Sequence, residues 1–171
     1  MGVNSPFWQS EFEVSLFEDK NYQYRETYFL LFKRENRPEV DKLQAALSEL
    51  GPKYETVNVK ENDDVFESMT VRSPYDFSAM DITYVEGEDV TSQVEELLEE
   101  LQTTTLTGDD HKKIARLEGT NARFEIYHFE QVGEGASEDE FLDPGGLLIV
   151  LEKLAELCEG VGVDPQSNSL V

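Results

Sequence analysis

The sequence predicts an α+β fold, in which helices pack on one face of an antiparallel sheet. Two observations favour this class. Apolar residues recur at helical spacing in three separate segments, and strand-like alternation or short apolar runs lie between them. We expect the whole chain, residues 1–171, to form a single domain with frayed ends at 1–10 and 167–171.

The first two helical segments are typical of helices with one buried face. In Pro38–Leu50 the apolar residues recur every three or four positions, and Gly51 ends the pattern. The second segment is Thr91–Gln102, where Ser92 followed by Glu95 predicts a capping box at the start. The acidic side chains of this segment are interpreted as a solvated helix face and not as a cation site.

The third helical segment, Pro144–Glu159, is apolar on most of its sides. Asp143 is its predicted N-cap, and Gly160 follows its end. Such a helix is either sandwiched within the protein or covered by a partner. We expect burial within the chain, and a homo-oligomer interface through this helix is the alternative. Cys158 lies in this segment and is the only cysteine, so no internal disulfide can form and a buried, unreactive thiol is expected.

Strand-like segments lie between the helical ones. They are Thr27–Lys33, Tyr54–Lys60, Phe66–Arg72, Ala79–Glu86 and Arg123–Val132, with Glu11–Phe17 as a further candidate. We interpret the element order as the ferredoxin-like β-α-β-β-α-β order, extended by the third helix and the N-terminal strand. The segments Glu61–Val65, Thr103–Asn121 and Gly133–Asp143 are interpreted as loops.

The charge balance disfavours several partners. The chain has 14 basic and 37 acidic residues, with a formal net charge of −23. Nucleic acid and anionic membrane surfaces are therefore not expected to bind, since both need Lys and Arg to neutralise phosphates. Neither a secretory signal nor an apolar run of membrane-spanning length is present, so we expect a soluble, cytoplasmic protein. Adaptation to a saline habitat is an alternative explanation of the acidity.

Common catalytic and cofactor motifs are absent from the sequence. It contains no phosphate-binding loop, no dinucleotide fingerprint and no nucleophile elbow. One cysteine and two histidines are too few for a typical zinc site. Acidic pairs such as Asp63-Asp64 and Asp109-Asp110 do not fit a calcium-binding EF-hand loop. We therefore predict no cofactor and no metal.

The two histidines are the natural places to look for acid–base chemistry. Strand alternation puts His128 and Glu130 on one sheet face with Phe124 and Ile126. A histidine beside a glutamate can act as a general base or a metal ligand, so His128 and Glu130 are the candidate catalytic residues. The alternative is a hydrogen-bonded histidine at the sheet margin. His111 is interpreted as an exposed loop or helix-start residue.

One further polar pattern lies on a predicted strand. Asp81 and Thr83 share the strand face opposite Met80 and Ile82, which we interpret as a polar sheet surface and not as a catalytic pair. With no specific motif, the sequence favours a non-catalytic interaction or regulatory domain that self-associates. The alternative is a small enzyme or small-molecule-binding protein that uses the sheet face around His128.

Overall fold

The computed structural model describes residues 15–102, 106–132 and 145–171. These residues form one seven-stranded sheet, in which all neighbouring strands are antiparallel. The strands are β1 (Tyr22–Phe32), β2 (Glu55–Asn62), β3 (Val65–Ser73), β4 (Ser78–Glu86), β5 (Ala122–Gln131), β6 (Val161–Asp164) and β7 (Ser169–Leu170). Their order across the sheet is β2-β3-β4-β5-β1-β6-β7. The predicted α+β class with an antiparallel sheet is confirmed.

The described residues also form four α-helices. They are α1 (Val40–Ser48), α2 (Glu88–Leu101), α3 (Gly108–Leu117) and α4 (Gly145–Cys158). No helix within the described ranges is both long and apolar enough to cross a lipid bilayer.

The helices cover both faces of the sheet and not one face as the sequence predicted. In β1, Leu30 and Phe32 belong to a buried cluster with α1 and α4, whereas Leu31 belongs to a second cluster with α2 and α3. Successive residues of a strand point to opposite faces, so each face receives two helices. We call the side of Leu30 face A and the side of Leu31 face B.

The ferredoxin-like order is not confirmed. All five strands predicted between residues 27 and 132 are present, but three of them, β2, β3 and β4, follow one another between α1 and α2. The sheet is also larger than the prediction, because β6 pairs with β1 and β7 pairs with β6. Ser169–Leu170 thus lie in a strand where the sequence indicated a frayed tail. The predicted Asp143 cap, the Gly133–Asp143 loop and most of the Glu11–Phe17 strand lie outside the described residues.

Two helix starts differ from their predictions. The predicted loop Thr103–Asn121 contains α3, whose N-cap Thr107 forms a reciprocal capping box with Asp110. Only two apolar side chains of α3, Ile114 and Leu117, pack against the face B cluster. The sequence of α3 therefore shows little apolar periodicity from which a helix could be predicted. In contrast, α2 begins at Glu88, so Ser92 lies inside the helix and the predicted capping box there is wrong.

Helix α4 buries one face within the chain, whereas its apolar residues Leu148 and Ile149 are 38% and 43% exposed. Its buried side chains are Leu147, Val150, Leu151, Leu154 and Cys158. They pack on face A, whose core includes the Phe124 ring, with its centroid 4.7 Å from that of Phe32 and 5.3 Å from that of Phe66. Burial raises the pKa of the Cys158 thiol to about 12, which agrees with an unreactive cysteine.

The chain turns sharply from α4 into β6 at Gly160. Glu159, and not Gly160, adopts the left-handed backbone conformation, with φ 52°. Gly160 is needed for a different reason, because a Cβ atom there would lie 2.7 Å from the backbone oxygen of Leu31. This close approach allows β6 to lie alongside β1.

We expect Gly160→Ala to destabilise the protein by about 1–3 kcal/mol, because the added methyl group pushes β6 away from β1. The matched control is Gly108→Ala, where a Cβ atom would contact nothing within 4 Å. Urea unfolding of both variants gives the comparison. Equal unfolding midpoints for the wild type and Gly160→Ala would show that the close approach is not a constraint.

Candidate functional site

Face B is covered by helices over only part of its width. Helices α2 and α3 pack on Leu31 of β1 and on Val161 and Val163 of β6. In the middle of β3 and β4 the same face carries polar side chains, because the alternating apolar residues Met69, Val71, Met80 and Ile82 point to face A. Strand pairing places Thr70 opposite Asp81.

These polar side chains form the floor of a groove with a volume of about 350 Å³, which we call the polar groove. It is lined by Ser15, Phe17, Asn58, Lys60, Ser68, Met69, Thr70, Asp81, Thr83 and Tyr127. The residues come from four adjacent strands and from the segment that precedes β1. The register of the sheet, and not proximity in sequence, therefore assembles the groove.

The edge strand β2 contributes to the groove through a β-bulge. Val57 pairs with Thr70, but the next pair is Lys60 with Ser68, so β2 contains one extra residue. Asn58 adopts a left-handed conformation there, with φ 54°. Asparagine tolerates this conformation better than most residues. The bulge returns Lys60 to the groove side of the sheet.

Asp81 is the half-buried acid of the groove. Its Oδ1 atom accepts a hydrogen bond from Thr70 Oγ1 at 2.6 Å. Burial raises the pKa of the carboxyl group above its ordinary value of 3.8, and the hydrogen bond from Thr70 offsets part of this increase. Within the described residues Oδ2 has no hydrogen-bond partner, so it is open to a donor from a ligand.

Aromatic rings form one side of the groove. Tyr127 donates a hydrogen bond from its hydroxyl to Glu125 Oε2 at 2.9 Å, and Arg123 holds Glu125 at 2.6 Å. Burial and the neighbouring Glu125 raise the pKa of the Tyr127 hydroxyl, which keeps it protonated as a donor. The Phe17 ring lies edge-on to Tyr127 at 5.6 Å and remains 58% exposed. A ligand in the groove would meet an ordered but accessible aromatic wall.

The charge of the groove is mixed. Lys60 lies on one side, and it forms no ion pair among residues 15–102, 106–132 and 145–171. Asp81 lies on the floor. No group of three or more metal-ligating side chains occurs in the parts of the chain that the structure describes.

His128 lies on the opposite side of the sheet from the polar groove. It is buried on face A, the face that strand alternation predicted. Its Nδ1 atom is 3.5 Å from Glu26 Oε1 but has no hydrogen-bond partner. Glu130, its predicted partner, instead contacts Arg25, with 3.5 Å between Oε2 and Nε. His128 does not line the polar groove, and its catalytic role stays a prediction.

The protonation of His128 is controlled by its burial. Removal from water lowers the pKa of the imidazole below 6.5, and the charge of Glu26 offsets part of that decrease. The other charges near the ring are Arg25, which lowers the pKa further, and Glu130, which raises it slightly. His111, the second histidine, is exposed on α3.

Most groove residues were not singled out in the sequence. Asp81 and Thr83 were interpreted as a polar sheet surface, and the structure places both in the groove. Ser68 and Thr70 carry a comparable signal, since they alternate with apolar residues in β3. Asn58 and Lys60 carry none, because their position depends on the bulge. No protein-family model, curated protein or solved structure matches this chain.

We expect His128 to titrate below pH 6.5 in an NMR titration of its ring protons. Glu26→Gln should lower the pKa further, and Glu130→Gln should have a smaller effect because Glu130 contributes least. The unfolded chain takes up this proton more readily, so stability should fall as the pH drops below about 6.5. Titration at or above 6.5 would contradict the burial described above.

We expect the Asp81 carboxyl carbon to titrate above pH 3.8 by NMR. Thr70→Val should raise this pKa further by removing the hydrogen bond that favours the carboxylate, and Thr83→Val is the matched control. A raised pKa means that the folded state holds the proton more tightly. The stability from this group is therefore full below 3.8 and is lost as the pH rises through the folded pKa. A pKa at or below 3.8 would argue against a half-buried carboxyl group.

Proposed function

We propose that this domain is a non-catalytic binding domain that holds a small, neutral, hydroxyl-rich ligand, such as a sugar ring, in the polar groove. The observation that supports this most is the half-buried carboxylate of Asp81. One of its oxygens accepts a hydrogen bond from Thr70, and the other has no hydrogen-bond partner among the residues that the structure describes. A volume of about 350 Å³ lies within the usual range for small-molecule sites, roughly 300–1,000 Å³.

The polar lining favours a neutral ligand with hydroxyl groups. Asp81 supplies an acceptor and Lys60 supplies donors, whereas the hydroxyl and amide groups of Ser68, Thr83 and Asn58 supply both. A ligand hydroxyl both donates and accepts, so it can match every one of these groups. An anionic ligand would be repelled by Asp81 and by the net charge of −23 of the protein. A cationic ligand would be repelled by Lys60.

The aromatic side of the groove favours a ring with an apolar face. Phe17 is 58% exposed and touches Tyr127, so both rings can contact a bound molecule. Phe17 also stacks on Tyr24, which is 40% exposed, and a contiguous exposed apolar patch rimmed by polar groups is typical of a binding surface. Sugar rings combine an apolar face of C–H groups with a rim of hydroxyls, which is the combination that this lining offers.

The sheet face around His128 is a weaker candidate for function. The imidazole is 6% exposed, and it points to face A, away from the groove. A base with so little exposed surface has little room to contact a substrate. We therefore favour binding in the groove over catalysis at His128.

Saturation-transfer NMR with methyl glucoside, methyl galactoside and myo-inositol tests this proposal. We expect at least one of these probes to bind, and Asp81→Asn to weaken its binding by about 10-fold or more. One hydrogen bond to a charged group is worth about 1.5–3 kcal/mol, and about 1.4 kcal/mol is tenfold in affinity. The matched control is Glu67→Gln, which neutralises an exposed carboxylate of β3 that does not line the groove.

Three results would overturn the proposal. The first is an absence of saturation transfer to all three neutral probes, and the second is equal binding by the wild type and Asp81→Asn. The third is binding of only a charged probe, such as ethylamine or propionate, which would remove the assignment to a neutral ligand. Circular dichroism of each variant checks that the sheet is intact.

A further inference from the structure

A second and larger cavity lies at the other end of the sheet, between α3, α4 and β6. We call it the α3–α4 cleft; its volume is about 600 Å³. Its apolar lining includes Leu151, Val161 and Val171, and Leu148 stands on its rim with 38% exposure. It shares no lining residue with the polar groove.

The two helices give this cleft opposite charges. Helix α3 contributes Lys113 and Arg116, whereas Glu152 and Glu156 of α4 and Glu159, just after it, contribute carboxylates. No ion pair among the described residues joins the two sides. The closest acid–base contact of the acidic side is 3.9 Å, between Glu156 and Lys153 on the same helix. Both charged sides are therefore free to pair with another surface.

The acidic side forms a ridge along α4. Leu148, Glu152 and Ala155 follow one another at spacings of four and three residues, so they lie along one side of the helix axis, and Glu159 follows the end of the helix. The adjacent side of α4 is buried on face A. A ridge with one exposed leucine and acidic side chains thus borders a cleft that has an apolar floor and a basic far side.

We infer that the α3–α4 cleft is a self-complementary interface between two copies of this chain. A two-fold axis brings the same surface of both copies together, so a surface that carries both signs can satisfy itself. The α4 ridge of each copy enters the cleft of the other. Glu152 then meets Arg116 of the partner subunit, and Leu148 is covered. Complementary charge of this kind fixes the register of an interface and selects the partner.

The overall acidity does not prevent this pairing. Two copies with a net charge of −23 each repel one another at long range. At an ionic strength of about 0.15 M the screening length is about 8 Å, so distant charges are largely screened while contact pairs are less so. Dimerisation should therefore weaken as salt is removed, because the long-range repulsion is then restored.

Sedimentation equilibrium of the full chain in 0.15 M NaCl, over about 5–300 μM protein, tests the inference. We expect a monomer–dimer equilibrium in the wild type. Arg116→Glu and Glu152→Arg should each weaken dimerisation at least about tenfold, because each homodimer then contains two like-charge contacts. Lys112→Glu is the matched control, since Lys112 is an exposed cation of α3 that does not line the cleft.

Mixing the two charge-reversed variants separates a specific interface from loss of folding. An equimolar mixture restores an opposite-charge contact on both sides of the two-fold axis, so the mixture should form heterodimers more tightly than either variant alone forms homodimers. A wild type that stays monomeric over the whole range would overturn the inference. Dimerisation that is insensitive to both reversals, or a mixture that stays monomeric, would also overturn it, whatever the polar groove binds.

Discussion

The alternation of side chains along β5 is the constraint on which this structure depends. The strand lies between β4 and β1 in the sheet. Phe124, Ile126 and His128 point to face A, whereas Glu125 and Tyr127 point to face B. A slip of one residue would exchange the two sets and bury the ionic network of Arg123 and Glu125 in the face A core. The register of β5 therefore determines which side is core and which side is open.

The unequal cover of the two faces follows from this division. Face A is apolar over the central strands, and α1 and α4 pack on it. The apolar side of α4, which in the sequence alone resembles an interface, is buried there. On face B, α2 and α3 pack near β1 and β6, and a separate small apolar cluster contains Leu16, Ala79 and Phe129. Over β3 and β4 a helix would have to remove the Asp81 carboxylate fully from water, which is costly. The raised pKa of Asp81 already shows that cost at half burial.

The sequence contained enough local pattern to predict strands β1 to β5 and three of the helices. It was insufficient for α3, which has few apolar residues, and for β6 and β7, which are too short to show alternation and exist through pairing with β1. The same limit applies to the sites. Alternation along β5 predicted the face on which His128 lies. The position of Glu26 opposite His128 could not be predicted, because it depends on the irregular pairing of β1 with β5 near Arg25. Asp81 showed a polar pattern in one strand, whereas the groove needs four strands in register.

Amide chemical shifts of isotope-labelled protein, recorded while the tightest-binding neutral sugar probe is added, test the central claim directly. If the open part of face B is the binding surface, the largest shift changes should lie at Ser68, Thr70, Asp81 and Thr83 and in the strands beside them. Residues around His128 and along the α3–α4 cleft should change little. The largest changes around His128 on face A, or in the cleft alone, would contradict the assignment of the polar groove as the functional site.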